Sequence, residues 1–281
     1  MLQSAATVGW REYHDATKHT PESIRESRHF LDWDNMPDPF RHYEGVPVID
    51  LPADPPEPAI PALEVLRGGR GTDESPDWTS FLSRLLFYSM SISASKQTPT
   101  GTRYALRVNP SSGNLHPTEV HLACPNGLFH YRVSSHMLEQ RGAGDYGPLR
   151  FLLTTIPWRE AWKYQSRAYR YCLLDIGHAW QALELAARAL GCEVEARGDF
   201  VDDDVAESFG LAEDEWPMLL VDVRGGPEFP RGGAREFLGG VANRLSDEVI
   251  QYPLIEGIHA ETKGGGGAPL RPRFRTRPVM S

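Results

Sequence analysis

The 281-residue chain carries 29 basic against 38 acidic side chains, a formal net charge of -9, with 40% hydrophobic and 24% charged residues. This is the balance of a globular protein that buries one good-sized core, and it excludes fibrous and wholly disordered classes. The net negative charge gives no reason to expect nucleic acid, no apolar run nears the roughly 20 residues of a bilayer span, and no secretory leader is read, so a cytoplasmic protein is expected.

Residues 1–67 read as an arm. Tyr13 to Arg28 has the make-up of a helix that Pro21 breaks or restarts, with Thr20 available as a cap. Eight prolines between Pro37 and Pro61 then leave little room for regular structure. After a flexible connector over Gly68 to Trp78, the spacing of Phe81, Leu82, Leu85, Leu86, Tyr88 and Ile92 predicts a buried helix. Short apolar runs predict strands over 119–124, 128–133 and 150–156, and 192–198 and 216–225 read as further strands. Between the last two, FVDDDVAESFG predicts a helix whose Asp202 to Asp204 sit at its positive end.

Tyr169 to Leu190 is apolar on nearly every side and predicts a helix buried on several faces, stopped by Gly191. Its small residues, Gly177 and Ala179 among them, suit close packing against a second subunit. His178 within it reads as a core histidine rather than a catalyst. Residues 261–281 read as a flexible Gly/Arg-rich tail. The three cysteines, Cys124, Cys172 and Cys192, are scattered in apolar segments and read as buried thiols, with neither disulfides nor a metal site expected. Helices and strands alternate without a clean βαβ rhythm, which favours an α+β sandwich.

Two stretches carry chemistry. In RVNPSSGNLHPTE, small hydroxyls, an amide and free backbone donors gather where a turn enters a strand. Ser111, Ser112 and Asn114 can donate or accept, Gly113 admits a close backbone approach, and Arg107 can hold a phosphate. By composition alone this is equally a Ser/Asn/Gly turn before a strand. In PWREAWKYQSRAYRYCLLDIGHAW, the cations Lys163, Arg167 and Arg170 interleave with tryptophans and tyrosines, which suits a solvated helix start or a cofactor cleft.

The first run resembles the flavin-binding P-S-x-G-N-x-x-P stretch of the nitroreductase superfamily. The second, with K-Y-x-x-R-x-Y-R-Y and L-D-x-G-H, is similar to its SagB-type branch, which includes flavin dehydrogenases that oxidise thiazolines and oxazolines in peptides. The likeness extends over Tyr13 to about Pro253. It implies a nitroreductase-like sandwich, a mixed and mainly antiparallel sheet flanked by helices, with the long helix at a homodimer interface and residues 68–260 as the flavin domain. It further implies FMN held by Arg107, Pro110, Ser111, Ser112, Gly113 and Asn114, with Arg167 nearby. Lys163 and Tyr164 are implied as the catalytic pair, facing a small-molecule or peptide substrate, and Glu193 to Ala196 as the stretch approaching the reactive flavin nitrogen. Two departures stand out: no early Arg-x-Ser-x-Arg phosphate motif occurs, and Gln165 stands where the branch often has Gly. Azoline oxidation and nitro or quinone reduction remain open as reactions, and a flavin-free scaffold of the same fold is the rival reading.

Overall fold

A computed structural model describes residues 8–27, 29–99, 101 and 103–264. The elements are α1 (Trp10–Thr17), α2 (Pro21–Glu26), β1 (Tyr43–Glu44), β2 (Val48–Asp50), α3 (Ala62–Leu66) and α4 (Trp78–Phe87). There follow β3 (Ile92–Gln97), β4 (Arg103–Arg107), β5 (Thr118–Cys124), β6 (Gly127–Arg132), β7 (Met137–Ala143) and β8 (Arg150–Thr155). The chain continues through α5 (Pro157–Tyr164), α6 (Ala168–Ala189), β9 (Glu193–Arg197), α7 (Asp202–Phe209), β10 (Trp216–Arg224), β11 (Glu236–Phe237), β12 (Val241–Ala242) and α8 (Pro253–Thr262).

The main sheet runs β11-β7-β6-β5-β8-β10-β9, with β2 also on β7. Every pairing among the described residues is antiparallel, so no parallel component of the expected mixed sheet occurs there. Period-two alternation divides its faces. Val120, Leu122 and Cys124 on β5, Phe151 and Leu153 on β8, and Val221 and Val223 on β10 join α4 and α6 in one core. Ala123, Leu152 and Leu220 point the other way, toward Phe209 of α7. The four buried apolar side chains of α4, Phe81, Leu82, Leu85 and Leu86, are fully shielded, each worth about 1.5–3 kcal/mol.

The second face is unusual in carrying charge. Glu119 and His121 of β5, His130 of β6 and Glu139 of β7 are all within 1% of full burial, as is the Glu215 side chain. The N-terminal segment closes over them. The backbone N–H of Tyr43 donates to Glu139 at 2.9 Å, and the Arg41 guanidinium binds Asp214 at 2.6 Å. Burial alone would raise the Glu119 and Glu215 carboxyls. Arg159, with His130 and Arg107, outweighs it for Glu119, and His121 outweighs it for Glu215, holding both below the ordinary range. The N-terminal segment is therefore more than an apposed arm, since β2 extends the sheet and Tyr43 and Leu51 enter buried clusters.

Several expectations are refined. The first helix is two, α1 and α2, and Thr20 caps the second through reciprocal bonds with Ser23. The helix over Phe81 to Ile92 ends at Phe87, and Ile92 opens the β3–β4 hairpin. Gly191 ends α6 at φ +75. That helix is not covered all round: Leu173 and Leu174 are 49% and 58% exposed, and His178 beside them is exposed rather than in a core. All three cysteines are buried. No described helix is long and apolar enough to cross a membrane. Residues 265–281, most of the expected tail, lie outside the described residues.

Candidate active site

The turn between β4 and β5 is shaped by residues that tolerate positive φ. Gly113, Asn114 and His116 lie at φ +61, +61 and +50. Its groups are mostly spent on one another. Ser111 Oγ accepts from the His116 N–H at 2.8 Å, and Asn114 Nδ2 donates to the Ala105 carbonyl at 2.9 Å. His116 Nε2 lies 2.9 Å from Asn114 Oδ1. Burial, then Arg107 and Arg159, pushes His116 down to about 3, so its ring is neutral and donates here. Ser112 gives both its N–H and its hydroxyl to Asp175 of α6, at 3.1 and 2.9 Å.

Arg107 is likewise committed. Its guanidinium is buried and donates to the Thr118 and Pro39 carbonyls, at 3.1 and 2.5 Å. Burial pulls it down to about 10. Expected to face a phosphate, it instead stitches the N-terminal segment to the root of the turn. Pro110 and Gly113 are the exposed positions of the motif.

The second motif spans a helix break. Lys163 and Tyr164 end α5 rather than start a helix, and Gln165 turns the chain at φ +49, ψ -140 before α6 begins. This break brings the two motifs together. A Cβ added at Gly113 would lie 2.8 Å from Tyr164 Oη and 2.9 Å from Lys163 Nζ. Lys163 Nζ makes no hydrogen bond among the described residues and sits 5.4 Å from the Tyr164 ring, which packs on Tyr171 at 4.2 Å between centroids. Burial first, then Glu160, raises the Tyr164 phenol.

Arg167 points elsewhere, to the Tyr171 hydroxyl at 3.1 Å and the Thr17 carbonyl at the end of α1. Arg170 also binds Thr17, through its hydroxyl at 3.1 Å. The two arginines thus dock α1, and with it the N-terminal segment, over the end of α5. Between them lies a cleft of about 660 Å³ whose walls include Lys18, His19, Lys163, Tyr164 and Arg167. Glu193 to Ala196 lie on β9, at the edge of the sheet.

Three charged residues here escaped the sequence reading. Arg159 and Glu160 are fully buried and Asp175 is 2% exposed. Arg159 donates to the Asp38 carbonyl at 2.8 Å, the His116 carbonyl at 2.9 Å and Glu119 at 2.5 Å. The available signal was the intrahelical register that puts Glu160 one turn before Lys163.

The positive φ at Gln165 is a strain that glycine lacks. Gln165→Gly is expected to stabilise the fold by about 1 kcal/mol in denaturant unfolding, lost contact with Tyr252 offsetting part of the gain. A neutral or destabilising result would mean that the side chain does more than tolerate the bend.

Comparison with known proteins assigns the fold. The profile of the Nitroreductase family matches residues 145–226, which hold Lys163, Tyr164, α6 and β9 but not the Ser111–Asn114 turn. A candidate nitroreductase of Anabaena variabilis superposes with a TM-score of 0.69 at 24% identity, over 92% of this chain and 55% of that one. The chain thus spans about half the length of that protein. A candidate nitroreductase of Ralstonia eutropha gives a TM-score of 0.53 at 21% identity, over 72% of this chain and 97% of its own. No curated protein matches. The architecture is a nitroreductase-like α+β sandwich.

Proposed function

We propose that the chain is an FMN-dependent oxidoreductase, with residues 68–260 as the flavin domain and residues 1–67 as its roof. The observation that carries this reading is the meeting of Gly113 with Lys163 Nζ and Tyr164 Oη, which joins two motifs about fifty residues apart. The exposed backbone of Pro110 and Gly113 is the surface for a flat cofactor, and Gly113 has no side chain to keep one away. Ser111, Ser112, Asn114 and Arg107 act by fixing the shape of that surface. Lys163 or Tyr164 holds the proton, at Nζ or Oη, that must move with each hydride. Bound FMN supplies hydride acceptance and donation. Arg167 and Arg170 keep the roof closed and limit water at the cleft.

The resemblance leaves two substrate classes for this site: a peptide-borne azoline, oxidised to the azole, or a small nitro or quinone acceptor, reduced. The exposed Leu173 and Leu174 stripe on α6 supports a homodimer closed through that helix. A second reading, a flavin-free scaffold, draws on one observation: Arg107, Ser112 and Asn114 all find partners within the chain.

Purification separates the two. The enzyme reading expects yellow protein that releases FMN on denaturation, or apoprotein that becomes yellow with added FMN. Colourless protein that cannot be reconstituted leaves the scaffold.

A further inference from the structure

One pair of groups beside the turn has no part in the reading above. Glu160 on α5 is fully buried, and neither carboxyl oxygen has a well-formed hydrogen bond among the described residues. It faces Asp175 of α6, itself 2% exposed, together with Ser111 and the Lys163 ammonium one helical turn ahead. Asp175 holds the turn directly, taking the Ser112 N–H at 3.1 Å and its hydroxyl at 2.9 Å. Two carboxylates packed together out of water repel, and each pays a desolvation cost that the other cannot offset. A proton between them removes the repulsion and one of the two desolvation costs, and gives the orphaned Glu160 a partner.

We propose that Glu160 and Asp175 share one proton, Glu160 as the neutral acid donating to the Asp175 carboxylate, and that this singly charged pair positions the Ser111–Asn114 turn against Lys163. The pair then carries one negative charge opposite one ammonium. Asp175 remains an acceptor for Ser112, and Glu160 satisfies its O–H without solvent. The other titratable groups facing the pair are the Tyr164 phenol and the Cys172 thiol, both raised first by burial and then by these carboxyls. Burial, with Asp175 adding and Lys163 opposing, pushes Glu160 up to about 9. Burial also raises Asp175, while Ser111 and Ser112 pull the other way.

The sign with pH is fixed. Because the folded state holds this proton more tightly than the unfolded chain, the stability it contributes is complete below the ordinary carboxyl range and is lost as pH rises toward about 9. Above that, a second buried negative charge sits behind the turn and strains its hold on Ser112.

The role of the pair in catalysis rests on the flavin reading of the turn; the shared proton does not. Infrared spectra of the flavin-free wild type, Glu160→Gln and Asp175→Asn, from pH 6 to about 10, test it. The wild type should show a protonated carboxyl carbonyl band at pH 7 that fades near the top of the range and is missing from Glu160→Gln. Asp175→Asn should keep the band, because Asn preserves a neutral hydrogen-bonding partner. FMN affinity of the wild type should weaken by about tenfold across the fade, with Glu160→Gln flat, since glutamine mimics the neutral acid. Absence of the band at pH 7, or its persistence in Glu160→Gln, overturns the proposal even if FMN binds. A band that behaves as expected in proteins that never bind FMN leaves the shared proton standing and removes the flavin reading.

Discussion

Arg159→Ala is expected to destabilise the fold by about 3–5 kcal/mol, the cost of leaving a buried charge without its partner. The guanidinium is fully buried and joins three parts of the chain: Asp38 in the N-terminal segment, His116 at the exit of the turn, and Glu119 on β5. Its removal leaves Glu119 with His130, Arg107 and the Arg41 N–H, in a site where burial opposes the charged form. The lower stability should show as a thermal midpoint down by on the order of 10 °C. Greater protease sensitivity around residues 30–60 should accompany it, because the Asp38 clasp goes too. A loss below about 1 kcal/mol would show that the neighbouring cations replace Arg159, and that the charged face is a redundant network.

Lys163→Ala is expected to leave FMN bound and lower turnover by about 10²- to 10⁴-fold, the usual contribution of a positioned proton-transfer group. The side chain has no hydrogen bond to lose among the described residues, and its ammonium already touches the turn at Gly113, so truncation opens space without unfastening an element. Separate measurement of flavin affinity and of hydride transfer to a quinone acceptor distinguishes the roles. Lost flavin assigns Lys163 to cofactor binding, and unchanged turnover makes it structural. Tyr164→Phe in parallel removes only the hydroxyl, and whichever variant loses the pH dependence of the rate identifies the proton carrier.

Local pattern explains most of what was legible in advance. The strands β5, β6, β8 and β10 were readable as short runs of largely β-branched, aromatic and apolar residues, and β9 from its place between Gly191 and Gly198. The α1–α2 division followed from Thr20 and Pro21, and the end of α6 from Gly191. The β3–β4 hairpin was hidden, since ISASKQ is largely exposed and shows no alternation. That α6 has several apolar faces was legible from composition, but not which of them this chain covers, and Leu173 and Leu174 stay open.

The two motifs were legible as chemistry but not as one place. Which hydroxyls and cations the chain owns near residues 107–119 and 157–180 is a matter of sequence. That Gly113 meets Lys163 and Tyr164 depends on a backbone bend at Gln165 and on the packing of α5 and α6 against the turn, neither of which local pattern encodes. The same holds for Arg107, Arg159, Glu160 and Asp175. Charged residues on helices and strands ordinarily face water, so their types alone favour a solvated rim. Only the folded arrangement takes them out of water, turns Arg107 from a free cation into a clasp, and sets two carboxyls against each other behind Ser112. The sequence by itself determined five strands of the main sheet, the longer helices and the inventory of reactive groups; the tertiary structure decided their partners, because burial and proximity are what change the charge and availability of a side chain.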